Sequence, residues 1–235
     1  MSVHTTTEVL GRLVPSLGDG TYEPEGLDCV VNPEVALESP LEYELEWALT
    51  KYIPKGALIT RQFKVPTYRG TFRVDLVIQT KQGLIGFECD GRDYHDWTRD
   101  IFRDAIILNY SKIESIYRIA GPDIYYRIAT ALYVIGRRVP SVFSERGMKN
   151  LWALSESREF AYTDHDDEGI YARYTFIDED EKQYDRKIYI RSLSRKHRDY
   201  SLMLAIAKTY RSAKTEELWS IAMRELMGRT HSQTT

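Results

Sequence analysis

The sequence contains little cysteine and no long hydrophobic run, and each absence excludes a class of protein. Only Cys29 and Cys89 occur among 235 residues, and this pair fits neither a disulfide framework nor the paired spacing of a structural zinc site. No apolar run approaches the ~20 residues that span a bilayer. Residues 1–11 lack the basic and then apolar layout of a signal peptide. We therefore expect a protein of the reducing cytoplasm, with no membrane partner.

Charge of neither sign dominates the whole chain, although it is unevenly distributed. The composition is that of a globular protein, 43% hydrophobic and 29% charged, with a formal net charge of −3. Acidic side chains dominate residues 164–185 and basic ones dominate residues 186–214. A basic stretch can follow a phosphate backbone, but two solvated faces explain the same pattern. Charge alone does not establish a nucleic-acid partner.

Hydrophobic periodicity predicts an α/β core between an N-terminal arm and a C-terminal extension. Residues 1–36 are rich in Gly, Pro and Thr and predict a loosely structured arm. Residues 37–139 predict a helix, three strands, a helix, a strand and a helix, which is a small mixed sheet flanked by helices. Residues 140–235 predict a hairpin followed by two helices. This α+β extension is either a separate small domain or a layer packed on the core.

Two neighbouring strands are expected to gather carboxylates on one face of the sheet. Apolar side chains recur at every second position, at 72, 74, 76 and 78 and again at 85, 87 and 89, and the residues between them include Asp75, Glu88 and Asp90. A short turn at residues 81–83 joins the strands, so pairing them as a hairpin with one common buried face places Asp75 on the same side as Glu88 and Asp90.

Carboxylates opposite one another in a strand pair lie ~5 Å apart and repel unless a cation neutralises them. Ligands that are all oxygen favour Mg²⁺, with Mn²⁺ as a substitute, over zinc. The alternative is that these acids are solvated on an exposed face and paired with Arg61, Arg73 or Arg92.

Several short segments together resemble a known nuclease family. The segments are FRVDLVI at residues 72–78, FECDG at 87–91, His95, DIFRD at 100–104, SIYRIA at 115–120 and SPLEYEL at 39–45. Their content and order resemble the PD-(D/E)XK nuclease superfamily, in particular the branch of very-short-patch repair endonucleases and their bacterial and phage relatives. The resemblance covers about residues 39–135.

The resemblance implies a restriction-endonuclease-like fold and Mg²⁺-dependent hydrolysis of DNA phosphodiester bonds. It implies metal ligation by Asp75, Glu88 and Asp90, with the carbonyl of Cys89 and the side chain of Glu42 as further ligands. Glu42 is equally explained as the capping-box partner of Ser39 at the start of the first helix.

His95 is implied as the group that orients or deprotonates the attacking water, although a structural role explains it as well. Asp90 stands where the superfamily usually has a lysine. The Glu-x-Asp form occurs in the resembled branch, but another group must then stabilise the pentavalent phosphate, or activity is lost.

Basic residues around the acidic face are candidates for contacts with DNA phosphates. They are Arg61, Lys64, Arg69, Arg73, Arg92 and Arg103. Each is also explained as an ordinary surface charge, and Arg103 alternatively as a clamp on Glu88 or Asp90. Besides an independent endonuclease, two interpretations stay open: a nuclease subunit of a larger transposition, repair or defence complex, and a non-catalytic DNA-binding module of the same fold. A homodimer is compatible with each of them.

Overall fold

The structure is a computed structural model, and its described residues cover the core and much of the C-terminal extension. They are residues 30–31, 35–81, 83–91, 97–155, 160–163, 170–177, 183–197, 200–214, 217–218 and 220–224. The predicted N-terminal arm lies almost wholly outside them. So do Arg92 and His95.

Strands and helices alternate through the core in the order that the periodicity predicts. The strands are β1 (Val30–Val31), β2 (Leu58–Thr67), β3 (Gly70–Thr80), β4 (Gly83–Asp90), β5 (Ile113–Ala120), β6 (Phe160–Thr163), β7 (Ile170–Ile177) and β8 (Gln183–Ser194). The helices are α1 (Pro40–Tyr52), α2 (Trp97–Tyr110), α3 (Gly121–Arg138), α4 (Glu145–Leu154) and α5 (Tyr200–Thr209). No helix in the described part of the chain is long and apolar enough to cross a membrane.

The strands form one mixed eight-stranded sheet in the order β1-β2-β3-β4-β5-β8-β7-β6. β1–β2 and β4–β5 are parallel pairs, and the other neighbours are antiparallel. The parallel β4–β5 pair is joined by α2, as a parallel crossover requires. The predicted α/β fold with a mixed sheet flanked by helices is confirmed.

The C-terminal strands extend the same sheet. β8 lies antiparallel to β5, with Ser115 opposite Ser194 and Ile119 opposite Ile190. β7 and β6 then continue outward from β8. The hairpin predicted after residue 140 is thus hydrogen-bonded to the core sheet. The sequence pattern did not predict helix α4 and strand β6, which follow the core and precede this hairpin in chain order.

Two hydrophobic clusters, one on each side of the sheet, hold the helices in place. One contains side chains of α1, α3 and α4 packed on Leu76, Ile78 and Phe87. The other contains side chains of α2 and α5 packed on Val74 and Val77. Burial of apolar area on both faces explains why most of the central strands are apolar rather than alternating.

The prediction that positions 72, 74, 76 and 78 share one buried face is wrong for the N-terminal half of β3. Leu76 and Ile78 pack with α1, whereas Val74 packs with α2 on the other side. On β2 the apolar side chains likewise change from one side of the sheet to the other, at Gln62. The φ of Gln62 is 47°, in the left-handed region. A single left-handed residue rotates the strand and reverses the alternation. Because β3 stays in register with β2, its alternation reverses at the same level, which is that of Asp75.

Candidate functional site

Asp75 lies where strands β3 and β4 part. The pairing of these strands ends at Leu76 opposite Phe87, so Asp75 and Glu88 are the next two residues along the diverging strands. One carboxylate oxygen of Asp75, Oδ2, accepts a hydrogen bond of 2.9 Å from the backbone N–H of Cys89. This bond fixes the carboxylate of Asp75 at the opening between the strands, beside Glu88.

Glu88 points to the side of α2, where it is buried against arginines. Its Oε1 lies 2.9 Å from Nη1 of Arg103 and its Oε2 lies 4.0 Å from Nη1 of Arg118. Oε1 is buried, yet no group of the described residues meets it with hydrogen-bond geometry. A buried carboxylate oxygen without a hydrogen bond is costly. Glu88 therefore has capacity for a further cation or proton.

Asp90, also predicted as a metal ligand, is held by two arginines. Its Oδ1 accepts a 3.2 Å hydrogen bond from Arg118, and its Oδ2 accepts one from Arg191 on β8. Both oxygens are thus engaged by guanidinium groups. The structure gives Asp90 a role inside the protein, joining the core to the C-terminal extension, and metal ligation by this residue stays a prediction.

Arg118 is the centre of this buried ion-pair network. It donates from Nε and Nη2 to both oxygens of Asp104 at 2.9 and 2.7 Å, which is the bidentate geometry that arginine favours with carboxylates. Its Nη1 lies 3.7 Å from Oδ2 of Asp100, which in turn lies 3.3 Å from Nη2 of Arg191. α2 is thereby tied to β4, β5 and β8.

Among the residues that the structure describes, carboxylates outnumber guanidinium groups at the site. The carboxylates are Asp75, Glu88, Asp90, Asp100 and Asp104, and the guanidinium groups are those of Arg103, Arg118 and Arg191. With every group charged, the cluster therefore has excess negative charge in a largely buried place. Such an excess is relieved by protons or by a bound cation.

The pKa values of the carboxyl groups of Glu88 and Asp75 are raised mainly by their burial. Burial, opposed by the charges of Arg103 and Arg118, raises the pKa of Glu88 to about 8. Burial also raises the pKa of Asp75 to about 6, although the N–H of Cys89 lowers it in part. The pKa of the Cys89 thiol is raised, mainly by burial and then by Asp75, so this free cysteine is not a thiolate ligand near neutral pH.

Glu42 serves the N-terminus of α1, where Ser39 caps the N–H of Glu42 as in a capping box while the side chain of Glu42 accepts from the backbone N–H of Glu38. The side chain of Ser39 accepts from the N–H of Glu42 at 3.3 Å and donates to its Oε1 at 2.9 Å. Oε2 accepts from the N–H of Glu38 at 3.0 Å and from the side chain of Gln62 at 2.9 Å. The charge of Glu42 still acts on Asp75 and raises its pKa, so the two groups are neighbours. The structure thus supplies a structural role for Glu42, and its metal ligation stays a prediction.

Three of the basic residues predicted to contact DNA have partners within the protein. Arg61 forms a bidentate pair with Glu46, at 2.5 and 2.6 Å. Arg69 donates to two carbonyl groups just after the C-terminus of α5, at 3.2 and 3.0 Å. Arg73 pairs with Glu38 on the surface. Arg61 and Arg69 therefore have structural roles, and contact with DNA stays a prediction for all three.

The remaining predicted DNA contacts differ in their surroundings. Lys64 is exposed on β2, directly opposite Arg73 on β3. Arg103 lies against Glu88, in the clamp that was the alternative to a phosphate contact. Arg92 and His95 lie outside the described residues, so their predicted roles stay predictions.

Sequence reasoning did not identify Gln62, Arg118 and Arg191 as parts of the site. Arg118 carried a signal, because it is an arginine within the otherwise apolar strand SIYRIA. A charge on a buried strand needs a partner, and here the partner is Asp104. Arg191 gave no comparable signal, since it belongs to a generally basic stretch far along the chain.

The residues present are compatible with Mg²⁺ in one specific sense. Among the side chains that the structure describes, no three His, Cys, Asp or Glu residues are grouped closely enough to hold a metal ion. Mg²⁺, however, is commonly held by one or two carboxylates together with water and substrate phosphate. Asp75 and Glu88 supply two carboxylates, and Oε1 of Glu88 lacks a hydrogen bond. The pair fits such a site and does not fit a closed structural metal site.

Comparison with known proteins adds no further constraint. No model of a protein family, no curated protein and no solved structure matches this chain.

Proposed function

We propose that this protein is a metal-dependent nuclease that hydrolyses DNA phosphodiester bonds. In this proposal Asp75 and Glu88 hold the metal ion of the active site. The observation that carries the proposal is the position of these two carboxylates at the opening between β3 and β4, with excess negative charge and one buried oxygen that lacks a hydrogen bond. The sequence resemblance to PD-(D/E)XK nucleases supports the same two residues. A divalent cation is the simplest group that neutralises them.

In this proposal each side chain of the site has a separate role. Asp75, oriented by the N–H of Cys89, and Glu88, at the edge of the arginine network, would hold the cation. A divalent cation bound there polarises a phosphate and lowers the pKa of a bound water toward neutrality. His95 remains the proposed group for handling the proton of that water. Asp90 would act through Arg118 and Arg191, by keeping β4 in place.

DNA is the proposed partner, in the reducing cytoplasm. β2 and β3 extend beyond Asp75 as a ribbon on which Lys64 and Arg73 are direct neighbours. Two adjacent basic side chains close to the acidic opening suit the contact with phosphates on either side of a scissile bond. The basic residues between 186 and 214 are a second candidate surface for the backbone of the nucleic acid.

The test is cleavage of supercoiled and linear plasmid by the full-length chain with Mg²⁺ or with EDTA. We expect cleavage by the wild type only with Mg²⁺. Asp75→Asn, which keeps the size of the side chain, should lower the rate more than ~100-fold, because loss of groups that merely support metal ligands already costs 10–100-fold. Glu145→Gln is the matched control, since Glu145 is exposed on α4 and pairs with Lys149. Cleavage by Asp75→Asn at the wild-type rate would exclude the proposal.

A non-catalytic DNA-binding module of this fold is the second candidate, and a specific observation favours it. Glu88 and Asp90 are both engaged by arginines, as they would be in a protein that has replaced a metal with internal cations. Such a module would bind DNA equally well in Mg²⁺ and in EDTA, and Asp75→Asn would leave its affinity unchanged. Fluorescence anisotropy with a labelled duplex separates the two candidates.

A further inference from the structure

Arg103 makes a contact with Glu88 that differs from the other ion pairs of the network. Its Nη1 lies 2.9 Å from Oε1 of Glu88 but without hydrogen-bond geometry, and its Nη2 donates instead to the carbonyl of Arg73. The side chain of Arg103 is 19% exposed and that of Glu88 is 8% exposed. Arg103 and Glu88 therefore form an ion pair without a hydrogen bond, and the guanidinium of Arg103 is the more exposed of the two partners.

The two other guanidinium groups are fixed. Arg118 is buried and bound by both oxygens of Asp104, at 2.9 and 2.7 Å. Arg191 donates to Asp90 from β8. Removing Arg118 would take both hydrogen bonds from the buried carboxylate of Asp104, and removing Arg191 would take the donor from Oδ2 of Asp90, which is strongly unfavourable in a buried place. Of the three, Arg103 is the one that can leave its carboxylate most easily.

Arg103 also acts on both proposed metal ligands. Its charge favours the ionised form of Glu88 and that of Asp75. It therefore supplies, from helix α2, positive charge to both carboxylates at the opening between β3 and β4, as Arg118 does from β5. A divalent cation at Oε1 of Glu88 would occupy the same place and repel the guanidinium.

We propose that Arg103 is an internal counter-cation of this site, which occupies Oε1 of Glu88 in the metal-free protein and competes with a divalent cation for it. The inference rests on the proposed function, because it concerns the same two carboxylates. The inference assigns Arg103 a positioning role that depends on whether a divalent cation is bound. In the metal-free protein Arg103 holds Glu88, and in the loaded protein its guanidinium is free to face the substrate side.

The test is Mn²⁺ binding by the full-length, metal-stripped protein, measured by isothermal titration calorimetry without DNA. Arg103→Gln keeps a donor for the carbonyl of Arg73 but removes the charge, and Arg103→Met keeps the aliphatic stem alone. Each folded variant should bind Mn²⁺ at least about tenfold more tightly than the wild type, because one competing charge at contact distance is lost. Arg103→Lys keeps a competing charge and should stay within about threefold of the wild type.

A matched control separates competition from general electrostatics. Lys112→Met removes one exposed positive charge at the other end of β5, and Mn²⁺ affinity should stay within about twofold of the wild type, since screening weakens distant surface charges. Affinity in Arg103→Gln and Arg103→Met equal to or weaker than that of the wild type would overturn the proposal, while Mn²⁺ binding by the wild type itself would leave the proposed function standing. Absence of Mn²⁺ binding in the wild type and in every variant would overturn the proposed competition, whereas the proposed function fails separately, if the wild type does not cleave plasmid in Mg²⁺.

Discussion

As the pH rises, the free energy of unfolding of the metal-free Glu88→Gln variant should increase relative to that of the metal-free wild type. Burial raises the pKa of Glu88 from 4.5 to about 8 in the folded protein. Between these values the unfolded chain has released the proton while the folded protein still holds it. The folded state therefore binds more protons, and the free energy of unfolding falls as the pH rises. Glutamine has no proton to release, so this loss is absent from the variant.

The magnitude follows from the size of the pKa shift. One pKa unit corresponds to about 1.36 kcal/mol, so from pH 5 to pH 8 the wild type loses up to about 4 kcal/mol through Glu88 alone. Relaxation around the buried group and access of water reduce this value. We expect the difference in unfolding free energy, Glu88→Gln minus wild type, to increase by about 2–4 kcal/mol over that interval. Loss of the contact with Arg103 lowers the difference at each pH but does not reverse its trend.

Urea denaturation followed by far-UV circular dichroism, in EDTA at pH 5 and at pH 8, measures the effect. Asp90→Asn is the control, because both oxygens of Asp90 accept from arginines and no oxygen lacks a partner. This variant should be less stable than the wild type at both pH values, by about 2–4 kcal/mol. A difference for Glu88→Gln that stays flat or falls with pH would refute the reasoning about a buried carboxylate with too little positive charge.

Two further substitutions test the fold that supports the site. Asp104→Asn should destabilise the protein by about 3–5 kcal/mol in urea denaturation, because it leaves the buried guanidinium of Arg118 without its bidentate partner; a loss under about 1 kcal/mol would show that the network adds little. Gly147→Ala should destabilise by more than about 3 kcal/mol, because a Cβ there would lie 2.1 Å from the carbonyl oxygen of Tyr52. Gly91→Ala, where a Cβ meets nothing within 4 Å, should change the melting temperature little, and equal effects of the two alanines would contradict the packing of α4 on α1.

Local patterns in the sequence were sufficient to predict the elements of the core. The helix expected after the three strands is α2, Trp97–Tyr110, and it was predictable because its apolar stripe is long and regular. The sequence predicts the start of α1 at Ser39, and Ser39 is its N-cap. The predicted hairpin of β3 and β4 is present, with Leu76 opposite Phe87, whereas the gathering of Asp75, Glu88 and Asp90 on one face stays a prediction. These features depend on residues close together in the chain.

Features that depend on tertiary contacts were not predictable in the same way. The left-handed conformation of Gln62 reverses the alternation of β2 and, through pairing, that of β3. Glutamine carries no signal for it, unlike glycine or asparagine. The engagement of Asp90 by Arg191 joins residues 101 positions apart, and it exists only because β8 pairs with β5. The short motif predicted the acids of the site, but not how many arginines would meet Glu88 and Asp90.

The most direct test of the site is the position of Mn²⁺ in a crystal of the full-length protein soaked with that ion, located by its anomalous scattering. We predict a peak between Asp75 and Glu88, within about 2.0–2.6 Å of an oxygen of each carboxylate, with the guanidinium of Arg103 displaced from Oε1 of Glu88. A fully soaked crystal with no peak at these carboxylates, and with Arg103 still against Glu88, would contradict the claim that the two acids form a cation site.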